Sequence, residues 1–296
     1  MSLAHLAQPG ILEAIPPQAR YLFCQLRLGA LPQTTLQTLA KVTDGQSTVV
    51  GIGASLARAL QTPVSGLTTF KGIEGALVKL PSTPVDLLVW LRGHDRGALL
   101  AHSRAIEAIL APAFTIEDIT DAFNHDGGKD LTGYEDGTEN PTGDEALTAA
   151  LVPHSNGAPA GSSFLALQRW HHQFDRFEAM PRAQQDHTFG RERVSNEEMD
   201  DAPESAHVKR TAQEDFSPEA FVLRRSMPWA QDNQGGLVFT AFGHSFDAFE
   251  ALLRRMSGAE DGIIDALFSF TEPQTGAYFW CPPMHQGRLD LRLLGL

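Results

Sequence analysis

Cysteine, basic charge and long apolar runs are all scarce in this sequence of 296 residues. The two cysteines, Cys24 and Cys281, are too few and too far apart for a disulfide framework or a thiolate metal site. Lysine and arginine number 23 against 36 aspartates and glutamates, which gives a net charge of -13. Such an acidic balance argues against nucleic acid or an anionic membrane surface as a partner. The longest uncharged stretch, 146–168, is interrupted by proline and glycine and cannot span a membrane.

Several common signals are missing as well. The first ten residues lack the basic and apolar regions of an export signal, so we expect a cytoplasmic protein. Gly51-Ile-Gly53 is followed by Leu56 where a dinucleotide loop needs its third glycine. The sequence contains no phosphate loop and no His-Glu-x-x-His, and 243–247 lacks the second glycine of a nucleophile elbow. Nucleotide chemistry and serine hydrolysis are therefore disfavoured.

The length favours two domains, and the composition indicates where they divide. Residues 153–163 are rich in Pro, Gly, Ser and Asn, which favour turns and bury little surface. We predict an N-terminal domain over 1–152 and a C-terminal domain over 164–296, joined by this linker.

The two halves contain similar short segments. Residues 21–27 resemble 164–170, and 87–94 resemble 237–244; all four are strand-like. Helical patterns follow the second pair, over 98–110 and 246–256, the latter with apolar residues spaced three and four apart. These matches favour a duplicated α+β domain, although two unrelated α/β halves can show such similarity by chance.

Three polar segments are candidates for chemistry. The first, 130–143, carries four carboxylates, and Gly133 and Gly137 bracket Asp136 with residues free to adopt turn conformations. Taken alone, it could be a solvated acidic turn or a calcium loop, but its spacing is not that of an EF-hand. The second segment, 200–210, contains His207, which we expect to open a polar strand. The third, 223–229, contains two adjacent arginines.

Together these segments resemble the dye-decolorising peroxidases, specifically the bacterial B (or P) subfamily of these haem enzymes. The family signature Gly-x-x-Asp-Gly stands here as Gly133-Tyr-Glu-Asp-Gly137. The similarity extends over nearly the whole chain through segments at 138–141, 168–170, 190–191, 198–201, 205–207 and 224–229. It implies an α+β fold of two duplicated ferredoxin-like halves with antiparallel sheets, with haem in the C-terminal half.

The resemblance also assigns roles to residues. It makes His207 the proximal ligand of the iron in one haem (heme b) per chain, Asp136 the distal acid-base residue and Arg224 the distal arginine. Ser226 takes the place of a small polar residue near the distal pocket. The implied reaction reduces hydrogen peroxide and oxidises organic donors, such as dyes and phenolics, through a ferryl and porphyrin-radical intermediate.

Physical chemistry adds details to these roles. The second ring nitrogen of a ligating histidine normally donates to an oxygen acceptor, for which Glu219 is our candidate. Arg224 should lower the pKa of Asp136 and keep it ionised. Arg191 is a candidate partner for a haem propionate, with a surface salt bridge as the alternative. Three other histidines, His171, His172 and His244, could also ligate iron as judged by residue type alone.

Two other functions remain open. A haem carrier, or a factor that removes iron from the porphyrin, would need neither Asp136 nor Arg224. A duplicated binding module could instead hold calcium in its acidic loops. The expected assembly is a homo-oligomer. Because 288–296 follows 280–283 without a flexible linker, we expect no encapsulin cargo tail.

Overall fold

The computed structural model of the chain describes residues 3–154 and 157–296. In chain order the α-helices are α1 (Pro9–Leu12), α2 (Gln33–Val42), α3 (Ala54–Ala59), α4 (Arg96–Leu110), α5 (Gly143–Ala150), α6 (Phe174–Glu178), α7 (Arg182–Phe189), α8 (His207–Arg210) and α9 (Asp247–Met256). Short 3-10 turns lie at Leu3–Leu6, Gln213–Asp215, Ala266–Ser269 and Arg292–Leu294.

The strands are β1 (Gln18–Leu26), β2 (Thr48–Gly53), β3 (Leu87–Gly93), β4 (Phe114–Phe123), β5 (Ser163–His172), β6 (Leu223–Arg224), β7 (Met227–Gln231), β8 (Gln234–Gly243), β9 (Thr271–Pro273), β10 (Ala277–Cys281), β11 (Met284–His285) and β12 (Arg288–Leu289). All pairings between these strands are antiparallel. The predicted α+β class with antiparallel pairing is confirmed.

The order of the strands is the same in both halves of the chain. The main sheet runs β4-β1-β3-β2-β10-β5-β8-β6, with β7 also paired to β8 and β9 to β5. In the first half the strands thus lie in the order fourth, first, third, second. The second half repeats this order with β10, β5, β8 and the β6/β7 edge. A shared order of this kind is what a duplicated ferredoxin-like unit requires.

The segments that look alike in sequence occupy equivalent strands. Residues 21–27 and 164–170 fall in β1 and β5, the first strand of each half, and 87–94 and 237–244 fall in β3 and β8, the third. The helical patterns that follow form α4 and α9. The expected two sheets are one continuous sheet, however, because Phe279 and Trp280 of β10 pair with Gly53 and Ile52 of β2.

One face of α9 determines where a cavity can form. Phe249, Leu252 and Leu253 are buried, in agreement with the spacing of apolar residues in the sequence. The same three side chains border the cavity described below. No helix in residues 3–154 or 157–296 combines the length and apolar character that crossing a bilayer requires.

The division of the chain into domains stays a prediction. Ser155 and Asn156, in the middle of the predicted linker, lie outside the described residues. On either side, the Val152 N–H donates to the carbonyl of Ser162, and the Gly161 N–H donates to the carbonyl of Val152. These bonds bring the two ends of the predicted linker together just before β5 begins.

Candidate functional site

A cavity lined by residues from both halves of the chain contains the three principal candidate residues. It has two adjoining parts, an apolar hollow of about 100 Å³ and a polar hollow of about 400 Å³. Asp136, His207 and Arg224 line both parts. The apolar wall of the first is formed by Leu237, Phe239, Phe249, Leu252, Leu253 and Met256. We call the two hollows together the site cavity.

His207 begins a short helix rather than the strand that we expected. It is the first residue of α8, whose turn is closed by a hydrogen bond from the Thr211 hydroxyl to the His207 carbonyl (2.7 Å). Gly190 ends α7 with φ +81°, and a Cβ there would lie 2.3 Å from Val208. The missing side chain allows α8 to pack directly against α7. The segment that begins at His207 therefore packs against the helix α7 and not against a strand.

The ring of His207 is oriented by a carboxylate. Its Nδ1 lies 2.7 Å from Oδ2 of Asp265, whose side chain has no exposed surface. The other carboxylate oxygen of Asp265 accepts from the Leu267 N–H (2.9 Å). The sequence-based assignment of Glu219 as the acceptor is wrong, because Glu219 is exposed and Asp265 occupies that position.

Asp136 lies in the loop between β4 and α5. Gly133 and Gly137 both have positive φ (+86° and +76°), as expected for glycines that bracket a turn. The Asp136 N–H donates to the Gly128 carbonyl (3.2 Å), which closes the loop on itself. The loop thereby presents the Asp136 carboxyl to the site cavity.

The pKa of Asp136 is shifted in the direction opposite to our expectation. Burial raises it above its ordinary value, and the positive charge of Arg224 opposes that increase without cancelling it. The charge of Asp130 raises the pKa further, while the charge of His207 lowers it. A neighbouring arginine alone does not determine the ionisation of a buried carboxyl.

Arg224 is an unpaired cation in the site cavity. It ends β6, and both of its backbone polar groups bind the side chain of Asn140 (2.8 Å each). Within the described residues its guanidinium makes no ion pair, and its buried Nε has no hydrogen-bond partner. An orphaned buried donor of this kind is ready to bind an anion.

The competing histidines are engaged elsewhere. Both ring nitrogens of His172 are occupied, by Asp130 (2.9 Å) and Thr271 (2.7 Å). His171 borders neither part of the site cavity, and the exposed His244 borders a separate depression. Among these histidines only His207 has one fixed ring nitrogen and one that, in the described part of the chain, makes no hydrogen bond.

Arg191 lies at the rim of the polar hollow but is already neutralised. Its guanidinium is 2.7 Å from Glu139 and 3.5 Å from Glu198, and it also donates to the Asn196 carbonyl (3.1 Å). These contacts form the salt bridge expected as the alternative to a contact with a haem propionate. A role for Arg191 in binding a propionate stays a prediction.

Ser226 does not reach the site cavity. It is buried, and its hydroxyl accepts from the Thr240 N–H (3.3 Å) within the sheet. It borders neither hollow. In this structure Ser226 connects the β6/β7 edge to β8.

The acidic loops do not assemble a metal site of their own. Among residues 3–154 and 157–296, no group of three or more His, Cys, Asp or Glu side chains is arranged to hold an ion. In the loop around Asp136, Asp130 instead binds the Thr132 backbone N–H and hydroxyl (2.8 and 2.6 Å) and His172.

Two residues of the site were not identified from the sequence. Asp265 is one carboxylate among 36 acidic residues, and no motif distinguishes it, because it meets His207 only through the fold. Asn140 lies inside the segment 130–143 that we singled out. Its partner is a backbone more than eighty residues away, which no local pattern indicates.

The Asp265→Asn variant should disturb His207. The amide would place an N–H group where the Asp265 Oδ2 now accepts, so Nδ1 of His207 would have to become the acceptor. The ring proton would then move to Nε2, which could no longer bind a metal. We expect haem affinity or peroxide turnover to fall about 10- to 100-fold, measured by spectral titration and by a peroxide assay.

Asp261→Asn is the matched control for this prediction. Asp261 pairs with Arg210 (2.7 Å) on the same side of α8 but does not touch His207. Equal behaviour of the Asp265 and Asp261 variants would show that the hydrogen bond to His207 has no influence on the site.

The fold and the site together define an α+β protein with a cavity lined by a positioned histidine, a buried carboxyl and an unpaired arginine. Known proteins resemble this chain in sequence and in fold. The sequence profile described as Dyp-type peroxidase, C-terminal, matches residues 127–286. A dye-decolorizing peroxidase of Brevibacterium linens is 30% identical over 247 residues, which cover 81% of this chain. This chain belongs to the Dyp-type peroxidase family.

A solved structure and a second relative in sequence support this family assignment. A solved DypB variant of Rhodococcus jostii RHA1, in complex with heme, has a TM-score of 0.85 and 26% identity. The similarity covers 95% of this chain and 97% of that one. A dye-decolorizing peroxidase of Rhodococcus erythropolis is 30% identical over 202 residues, or 66% of this chain. The matched segments cover 67% of the Brevibacterium protein and 59% of the Rhodococcus erythropolis protein.

Proposed function

We propose that this chain is a haem-dependent peroxidase that reduces hydrogen peroxide and oxidises organic donors such as dyes and phenolics. The observation that carries the proposal is that His207, oriented by Asp265, lines the same cavity as Asp136 and the unpaired Arg224. Membership of the Dyp-type peroxidase family supports it. So does a relative solved in complex with heme.

The residues of the site cavity fit one haem b. His207 has a ring nitrogen free to bind iron, and imidazole is a common axial ligand of haem. The apolar wall from β8 and α9 suits a flat macrocycle. The buried Nε of Arg224 lacks a partner, which an anionic group would supply. When bound, haem supplies the redox chemistry of peroxide cleavage.

His207 and Asp265 act as a unit that holds the metal. Donation from Nδ1 to the buried Asp265 carboxylate fixes the tautomer in which the Nε2 lone pair is available. The carboxylate also makes the imidazole a stronger electron donor. Asp265 is therefore a positioning residue for His207.

Asp136 and Arg224 act on peroxide. An ionised Asp136 can accept a proton from one peroxide oxygen and return it to the other, which leaves as water. Because burial raises the pKa of Asp136, this role depends on the opposing charge of Arg224. The guanidinium also stabilises negative charge that develops on the departing oxygen.

Asp136→Asn should slow the reaction with peroxide. The amide has nearly the same shape but cannot accept the proton, and acid-base groups typically contribute about 10²-fold or more. Stopped-flow absorbance of the haem-loaded variant, mixed with hydrogen peroxide, measures this rate. Asp126→Asn is the control, since Asp126 pairs with Lys129 on the exposed side of the same loop. Retained activity in the Asp136 variant would show that arginine or water carries the proton.

A haem carrier would need neither Asp136 nor Arg224 in its cavity, which favours the enzyme. The B/P subfamily, the cytoplasmic location, the homo-oligomer and the missing cargo tail stay predictions from the sequence.

A steady-state assay tests the proposed function. The haem-loaded protein should oxidise a phenolic or dye substrate only when peroxide is present, and protein without haem should be inactive. Turnover no faster than that of free haem at the same concentration would contradict the proposal.

A further inference from the structure

We propose that Asn140 and Gln213 are positioning residues that hold Arg224 at a fixed distance from the Asp136 loop. This inference rests on the proposed function, because it concerns how the two groups that act on peroxide are kept together. The two side-chain amides form what we call the amide clamp. It connects residues 139–140 of the Asp136 loop to Val222, which directly precedes β6, and to Arg224 in β6.

Asn140 contributes two hydrogen bonds to the backbone of Arg224. The Arg224 N–H donates to Oδ1 of Asn140, and Nδ2 of Asn140 donates to the Arg224 carbonyl, both at 2.8 Å. One side-chain amide therefore satisfies both backbone groups of the same residue, as a neighbouring strand would. This two-point contact fixes direction as well as distance.

Gln213 makes a similar two-bond contact next to that of Asn140. Its Nε2 donates to the carbonyl of Glu139 (2.9 Å), and its Oε1 accepts from the N–H of Val222 (3.1 Å). Gln213 is buried and borders the apolar hollow. The loop and the strand are thus joined at two adjacent points.

The loop end of the clamp has its own backbone hydrogen bond and is close to Asp136 in the chain. The Asn140 N–H donates to the Gly137 carbonyl (3.0 Å), which closes a turn that begins directly after Asp136. A movement of the Asn140 side chain would therefore be transmitted to Asp136, which directly precedes this turn. Pro141 follows and restricts the backbone of Asn140, the residue before it.

The strand end needs such support because β6 is short and lies at the edge of the sheet. It contains only Leu223 and Arg224, which pair with Phe242 and Ala241 of β8. Both backbone polar groups of Arg224 bind Asn140. Its guanidinium makes no ion pair within the described residues that could hold it instead. The position of the charge therefore depends on the position of the backbone.

Asn140→Ala removes both bonds without adding charge. The Arg224 carbonyl keeps a donor, Nη1 of Arg225 (2.9 Å), but the Arg224 N–H loses its acceptor. We expect the rate constant for the reaction with peroxide to fall about 10-fold or more, since small displacements of a reacting group can cost about 10²-fold. The rate of donor oxidation measured after the peroxide reaction is complete, and the position of the Soret band, should stay unchanged. Asn140→Asp, which keeps an acceptor for the N–H, serves if the alanine variant does not fold.

Two measurements separate positioning from a general structural role. In the Arg224→Leu background, Asn140→Ala should cause little further loss, because its effect passes through Arg224. Amide hydrogen exchange of the peptide that contains Arg224, followed by mass spectrometry without peroxide, should be about 10-fold faster in Asn140→Ala. The exposed Asn124→Ala is the control and should change neither quantity.

The outcomes that overturn the clamp differ from those that overturn the proposed function. A folded, haem-loaded Asn140→Ala protein that reacts with peroxide as fast as the wild type would refute the clamp. Losses that add fully to those of Arg224→Leu would show that Asn140 acts elsewhere. If the wild type itself does not react with peroxide, the proposed function fails, and with it the role of the clamp, whatever the exchange data show.

Discussion

His207→Ala should abolish stable haem binding or leave haem with a changed coordination. None of the competing histidines has both access to the site cavity and a free ring nitrogen in the described structure. His172 uses both of its nitrogens, and His171 and His244 do not border the cavity. The alanine variant, reconstituted with haem and passed through gel filtration, should retain far less haem than the wild type. Haem retained by that variant should show an altered Soret band.

His244→Ala is the control for this experiment. His244 is exposed and borders a depression outside the site cavity, so its loss should leave haem binding unchanged. An unchanged five-coordinate spectrum in His207→Ala would remove His207 from the role of ligand. A large effect of His244→Ala would point to the competing histidine instead.

Arg224→Leu should slow the reaction with peroxide by about 10²–10³-fold, the usual loss for one preorganised donor to a developing negative charge. It should also leave Asp136 more difficult to ionise, because the charge of Arg224 is the largest influence that opposes burial. Stopped-flow spectroscopy of the haem-loaded variant over a range of peroxide concentrations measures the rate constant.

Arg104→Leu makes the same change at an exposed position on α4, and should have no effect. If Arg224→Leu reacts at the wild-type rate, Asp136 or water alone is sufficient for peroxide cleavage. If haem binding is lost together with the rate, Arg224 serves mainly to bind the cofactor.

Much of the fold follows from the sequence because the relevant signals are local. The apolar spacing of 246–256 predicts the buried face of α9, and the paired strand-like segments predict β1, β3, β5 and β8. The pairing of β10 with β2 could not be predicted in this way. It joins segments more than two hundred residues apart, and a five-residue buried strand carries no information about its partner.

The site was predictable where a motif carries the residue. Asp136, His207 and Arg224 lie in recognisable segments, and the structure brings them to one cavity. Asp265 and Asn140 act through long-range hydrogen bonds. Glu219 lies only five residues before Arg224 in sequence, whereas the acceptor of a histidine is determined by the packing of the folded chain.

The prediction of a strand at His207 is wrong for a related reason. A polar segment after an acidic turn is compatible with either a strand or a single helical turn, and the choice depends on what packs beside it. Gly190 and α7 provide a helix neighbour, and the segment forms α8. The pKa of Asp136 also depends on burial, which the sequence does not display.

The absorption spectrum of the haem-loaded protein before and after one equivalent of hydrogen peroxide tests the account most directly. We expect a Soret band from haem bound through His207. We also expect that band to change upon mixing with peroxide, and the change to be slower in Arg224→Leu. A protein that binds no haem, or whose spectrum changes at the same rate with and without Arg224, would contradict it.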